Sequence, residues 1–276
     1  MARKRLLNAF TYAVLIFGTL LILLPLYITV VTALKTPAES LRSFLTPPSG
    51  LMLDNFKSVI NHSGYWRSFG NSLLISCIVL VGNVVLMPPL SYAVTRSMGS
   101  SKLYKWLYFY LLIGIFIPFQ VKMIPLVKMM SAFGMNNPIG LAILCIGSNT
   151  CETTFLYVGF MQSLPSEIEE AAYIDGASVS RTFYEIVMPL ITPIIATALI
   201  KEALWIWNDF MLPMLILTKT EYFTLTLFAY NFKSTDNTDF GLLFACYVLQ
   251  MAPMLVFYLF AQKHIIGGLT SGSVKG

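Results

Sequence analysis

Long apolar runs separated by short polar segments dominate the chain. Six of them are near or above the roughly 20 residues that a helix needs to cross a bilayer. They are residues 10–33, 72–94, 104–124, 138–161, 191–217 and 241–261. Lipid offers backbone groups no hydrogen-bond partners, so each run is read as a helix. A β-barrel would instead show alternating strands of about ten residues. The expected fold class is an all-α integral membrane protein with six transmembrane helices in a single domain, 1–276. The fourth run is interrupted by Asn149 and Glu152. Pro88-Pro89 breaks the hydrogen-bond ladder of the second, as a gate or as a static bend.

The loops between the runs differ in kind. Arg3, Lys4 and Arg5 precede the first run and favour a cytoplasmic N-terminus. That run is too long for the apolar core of a secretory signal, and an uncleaved anchor is favoured. Val31-Thr32-Ala33 leaves processing open. Six crossings then return the C-terminus to the cytoplasm, although the Lys and Arg of the loops and termini, these three included, divide nine inside to eight outside. Residues 34–71, with Pro37, Pro47 and Pro48, form a long external segment. Residues 96–102 make a short basic turn around Gly99. Residues 218–240 are polar and external. Residues 163–190 are unusual: long, helical in character and on the cytoplasmic side.

Composition narrows the possible functions. Of 276 residues, 57% are hydrophobic and 11% charged; a soluble domain carries roughly 25% charged. Mean hydropathy is +0.73. A soluble enzyme and a disordered chain are excluded. The net charge of +5 is scattered, not clustered as nucleic-acid binding requires. Cys77, Cys145, Cys151 and Cys246 lie in apolar runs without zinc or redox spacing. They read as small buried residues. His62 and His264 are far apart, so no metal site is expected. No Ser/His/Asp set, HExxH or paired Asp marks the runs, so no catalytic residue is assigned.

The stretch LPSEIEEAAYIDGASVSRTFYEIVMPL, residues 164–190, reads as a helix–turn–helix outside the membrane. Ser166 and Glu169 have the spacing of a capping box. Glu167, Glu169 and Glu170 lie where a helix dipole favours acids. Gly176 supplies the stop. A second helix over 179–188 places Val179, Phe183, Ile186 and Val187 on one face, and Pro189 closes it. Ala171 and Ala172 permit close approach of another surface. Two readings stand: a rigid helix docked in a partner's groove, or an amphipathic helix lying on lipid.

Polar residues inside the runs form two groups. An ionisable residue at the bilayer centre costs roughly 2.5–3.5 kcal/mol on insertion scales, so it should face protein or water. Asn149, Glu152 and Thr153 share a helical face. Lys201, Trp205, Asn208 and Leu212 follow helical spacing in the fifth run, with Glu202 and Asp209 beside them. Aromatic rings and amide or carboxylate groups suit sugars, through C–H faces and hydroxyls respectively. The candidate substrate path is therefore Asn149, Glu152, Trp205, Asn208 and Asp209. The alternative is polar contact between helices, or a Lys201–Glu202 pair at the interface. A stand-alone ion-coupled transporter would use Glu152, Asp209 and Lys201 as a relay.

Glu170-Ala171-Ala172, Gly176, Ile186 and Pro189 resemble the EAA loop of bacterial (and archaeal) ABC importer permeases: EAA, three residues, G, nine, I, one, L, P. Met188 replaces the Leu. Ser91-Tyr92-Ala93 with Arg96, then Ile117-Pro118-Phe119-Gln120 and Ile124-Pro125-Leu126, resemble the carbohydrate-uptake branch, similar to the maltose-system MalG subunit. Trp207-Asn208-Asp209-Phe210 and the tail 268–276 do likewise. The resemblance implies a type I, MetI-like permease fold with a coupling loop at 163–190 and a cytoplasmic tail at 262–276. It implies a heterodimer with a second permease, two ATP-binding-cassette ATPase subunits and an extracytoplasmic sugar-binding protein. This chain has no GxxxxGK[ST] phosphate loop, so ATP and Mg would be held by the partner ATPases. The implied ATPase-coupling residues are Glu169, Glu170, Ala171, Ala172, Asp175, Gly176, Ala177, Ile186 and Pro189. The cargo is a sugar, or another solute such as glycerol-3-phosphate; the lack of Arg deep in a span tilts against the latter.

Overall fold

The computed structural model describes residues 2–231 and 239–271, with backbone alone at residues 2, 3, 5, 6 and 263–271. The tail signature at 268–276 therefore lies outside the described side chains. The described residues are helical, with connecting turns: α1 Ala2–Ala33, α2 Pro37–Arg42, α3 Asp54–Ile60, α4 Tyr65–Ser97, α5 Lys102–Phe116, α6 Phe119–Ala132, α7 Pro138–Met161, α8 Glu167–Ile174, α9 Val179–Thr182, α10 Met188–Asn208, α11 Met211–Ile216, α12 Leu225–Asn231 and α13 Phe240–Ser271. Five of these are long and apolar enough to cross a membrane. The bent pair α5–α6 makes up to six.

Contacts divide the chain into two compact units, Met1–Trp66 with Leu227–Pro253, and Arg67–Thr226 with Met254–Gly276. In the first, the segment after α1 is pinned by buried polar groups. Lys35, fully buried, donates from Nζ to the carbonyl of Ser43 at 2.8 Å. Asn55 donates to the carbonyls of Ala33 and Lys35, each at 2.9 Å. Buried amides and ammonium groups are stable only when so partnered. A capping box forms here: the Glu39 amide donates to the Thr36 hydroxyl while Glu39 reaches back to the Thr36 amide. The Ser49 hydroxyl and amide also donate to Glu39. Those donors, the Ser49 hydroxyl first, pull the Glu39 carboxyl down to about 2.

The second unit holds the core that positions the candidate site. Met87 and Tyr92 of α4, Tyr157 and Met161 of α7, Phe183 and Val187, and Ile191, Ile194, Ile195 and Ala198 of α10 form one buried cluster. Between membrane helices apolar burial gives little drive, so close approach decides packing. Gly114 shows it: a Cβ there would lie 2.6 Å from the Cys151 sulfur, so glycine lets α5 meet α7.

The third run is not one helix. α5 ends at Phe116 and α6 starts at Phe119, with 105° between them. Ile117 is extended, at φ −79° and ψ 113°, because the ring of Pro118 disfavours the helical region for the residue before it. The fifth run also differs. It breaks at Asp209, which is extended at ψ 128°. Its Oδ1 accepts from the amides of Met211 at 3.0 Å and Leu212 at 3.4 Å, starting α11. Leu212 therefore does not continue the face of Lys201, Trp205 and Asn208. By contrast α7 spans the fourth run as expected, capped by Asn137, and α4 remains helical through Pro88 and Pro89.

Candidate functional site

Two places in the second unit gather the chemistry. The first is the elbow formed by α8, the Gly176 turn and α9. Gly176 has φ +82°, a region that costs other residues roughly 1–2 kcal/mol. Its amide donates to the Tyr173 carbonyl at 3.1 Å, and that of Ala177 to Ala172 at 2.9 Å. This pair of bonds is the Schellman ending of a helix. Ser178 caps α9 by accepting from the Arg181 amide.

Two expectations for the elbow are corrected. Ser166 has helical backbone angles and makes no side-chain cap. Its presumed partner Glu169 is engaged elsewhere, so no capping box forms. Pro189 does not close the second helix either: the chain stays helical from Val179 to Asn208. A wide π turn spans Phe183–Val187, with the Met188 amide donating back to Phe183. A proline clashes with the carbonyl four residues earlier in a regular helix. The wider turn, together with a place in the first turn of α10, accommodates it. Val179 is also 60% exposed, whereas Phe183 and Val187 are buried.

The elbow residues that the resemblance implies for coupling divide by side. Glu169 and Ala172 are buried; Glu170, Ala171, Asp175 and Gly176 are exposed. Ala177 and Ile186 are half-buried and Pro189 is exposed. Glu169 Oε1 accepts from Arg96 Nε at 2.8 Å and Nη2 at 2.5 Å, and Oε2 accepts from the Tyr92 hydroxyl at 2.8 Å. The outward face carries Ile174 at 85% exposure, one helical turn from exposed Glu170 and Ala171.

The second place is a cavity of about 160 Å³ between α7 and α10. It is lined by Asn149, Glu152, Thr153, Lys201, Glu202 and Trp205. Lys201 Nζ meets Glu152 Oε1 at 2.6 Å, and both side chains are about half exposed. The Asn149 amide donates to buried Glu202. Of the expected substrate path, the structure thus brings together Asn149, Glu152 and Trp205. Asn208 is exposed at the end of α10 and donates to the Leu204 carbonyl at 2.8 Å. Asp209 does not line this cavity, and instead caps α11. The sequence places Lys201 and Glu202 beside the candidate path but not in it, whereas the structure lines the cavity with both. Their helical spacing was visible, but nothing local pairs them with residues some fifty positions earlier.

The family model described as "Binding-protein-dependent transport system inner membrane component" matches residues 87–270, a stretch that includes both places. The chain belongs to this family: it is a multi-pass membrane permease subunit, not an enzyme. It is 40% identical, over the whole of both chains, to the multiple sugar-binding transport system permease protein MsmG of Streptococcus mutans. It is 32% identical to the probable starch degradation products transport system permease protein AmyC of Thermoanaerobacterium thermosulfurigenes, covering 96% of this chain and 97% of that one. Its fold matches a chain in the crystal structure of a bacterial ABC transporter involved in the import of the acidic polysaccharide alginate. There the TM-score is 0.84 at 20% identity, over 95% of this chain and 98% of that one.

Proposed function

We propose that this chain forms half of the translocation path of an ATP-driven importer of an uncharged oligosaccharide. Its partners are a second permease subunit, two ATPase subunits that hold ATP and Mg, and an extracytoplasmic sugar-binding protein. It sits in the cytoplasmic membrane with both termini on the cytoplasmic side. The observation that carries the reading is the elbow: a helix–turn–helix with Glu169 and Ala172 held inward and Ile174, beside Glu170 and Ala171, presented outward. A chain without a phosphate loop must receive its energy through a contact. A short helix with an apolar anchor suits a groove on the ATPase. Glu170, exposed beside Ile174, supplies a polar contact at its edge.

Sugar as cargo is supported by the kind of solute named for the two relatives and by the cavity chemistry. Asn149, Glu152 and Lys201 offer donors and acceptors for hydroxyls, and half-exposed Trp205 offers a ring face. Asn208, three residues from Trp205, extends that side. The cation lining this cavity, Lys201, is paired with Glu152, which disfavours a phosphate or uronate there. Asp209 serves the path only by fixing the end of α10. Residues 34–71 are the segment that meets the binding protein.

The test is reconstitution in proteoliposomes with the ATPases, the second permease and the binding protein. Uptake of a neutral oligosaccharide should need ATP and every subunit. Glu170→Lys should lose ATPase co-purification while still inserting in the membrane. Uptake driven by an ion gradient without ATPase would identify a secondary transporter instead.

A further inference from the structure

We infer that Glu169, with Arg96 and Tyr92, is an internal joint that locks the elbow to the end of α4, and that it is not a contact to the ATPase. This deepens the coupling role proposed above and rests on it. Glu169 is only 6% exposed, and both of its oxygens are taken from within the chain. It therefore offers a partner little surface. Its neighbour Glu170 is the exposed one.

The placement of the charges strengthens the joint. Arg96 lies in the last turn of α4, where carbonyl dipoles favour a cation. Glu169 lies in the first turn of α8, where amide dipoles favour an anion. Each charge therefore sits at the helix end that stabilises it, and the pair ties one end to the other. The guanidinium offers two N–H groups to one oxygen, a charge-assisted contact with defined geometry. Tyr92, one turn before Arg96, holds the other oxygen. Its ring packs on Phe183, with centroids 5.0 Å apart, and its hydroxyl approaches that of Tyr173 at 3.5 Å. One side chain of α4 thus touches both arms of the elbow. Phe183 belongs to the cluster that joins α4, α7 and α10. A push on the outward face at Ile174 reaches these helices as rigid-body movement rather than being absorbed at a loose turn.

The test uses the assembled transporter in proteoliposomes and reads three quantities: ATPase co-purification, ATP hydrolysis and sugar uptake. Arg96→Gln, Glu169→Gln and the milder Tyr92→Phe are compared with the exchange Arg96→Glu with Glu169→Arg. The joint predicts that the Arg96 and Glu169 single variants keep the ATPase bound and hydrolysing but spend at least tenfold more ATP per sugar. Tyr92→Phe should show a smaller rise, and the exchange should recover a substantial part of the coupling. A residue needed only for folding would lower assembly and hydrolysis together and leave the ratio unchanged, which overturns the proposal. Loss of ATPase binding in Glu169→Gln without recovery in the exchange overturns it too, by making Glu169 a direct contact. Normal coupling in every single variant does the same. If the unaltered chain binds no ATPase, the functional reading fails first, and the joint falls with it.

Discussion

The elbow and the cavity each contain an acid–base pair, and the two pairs are built oppositely. Arg96–Glu169 is mostly enclosed, with side-chain exposures of 27% and 7%, and a tyrosine completes it. Lys201–Glu152 stands at 48% and 61% on helices otherwise made for lipid. A charged pair closed inside protein fixes geometry, because removing one partner strands the other. A charged pair left open on an apolar span asks for water, a solute or another subunit to cover it. The same pair chemistry is thus enclosed in one place and left open in another.

The sharpest break of this comparison is stability. Arg96→Ala strands Glu169 and should cost about 3 kcal/mol, the low end of the range for a buried pair because Arg96 is partly exposed. At roughly 2–4 °C per kcal/mol, the apparent Tm of the purified protein should fall by about 6–12 °C. Lys201→Ala should move it by no more than about 4 °C, since half-exposed pairs contribute roughly 0–1 kcal/mol. Equal shifts would erase the distinction.

Next in size is the turn itself. Gly176→Val forces a branched side chain into the left-handed region at a cost of about 1–2 kcal/mol. Open space surrounds the position, so the loss is one of backbone conformation. Gly176→Asn, which tolerates that region better, should recover most of it in the same thermal measurement. At the cavity the expectation reverses. Glu152→Gln and Trp205→Ala should leave the Tm nearly unchanged while lowering sugar-dependent uptake about tenfold, the size of one charged hydrogen bond. Uptake unaffected by both would leave these residues a structural role only.

The smallest effect concerns the segment after α1. The Glu39 carboxyl is held at about 2, against an ordinary 4.5. A depressed folded-state value means that its contribution is complete above about 4.5 and is lost as the pH falls through about 2. Amide exchange at Thr36 and Ser49 should therefore stay protected down to pH 4 and loosen only well below it. Glu39→Gln should remove the pH dependence.

Much of the fold could be read from apolar runs alone: the ends of α7 coincide with the fourth run, and Gly176 stops its helix in the left-handed conformation that its position suggested. The errors share a cause. Periodicity was extended through Ile117–Pro118 and through Asp209, where one residue's backbone preference outweighs twenty residues of hydrophobic pattern. At Pro189 the error ran the other way, since a π turn carries the helix past a residue that usually ends one. The elbow was legible as a motif, but its inner and outer faces were not. Glu169 and Glu170 are adjacent and chemically alike. Only the arrival of Tyr92 and Arg96, more than seventy positions earlier, turns one inward and leaves the other free.

The claim on which the rest depends is that the outward face of the elbow is where an ATPase holds this chain. A single cysteine at Ile174, in a background lacking the native cysteines, tests it in the assembled complex with a short bifunctional cross-linker. The account predicts a cross-link to the ATPase subunit whose yield changes with nucleotide, and none from a cysteine at Leu41. A cross-link from Leu41 to the ATPase, or cross-linking of Ile174 only to lipid or to the binding protein, would contradict it.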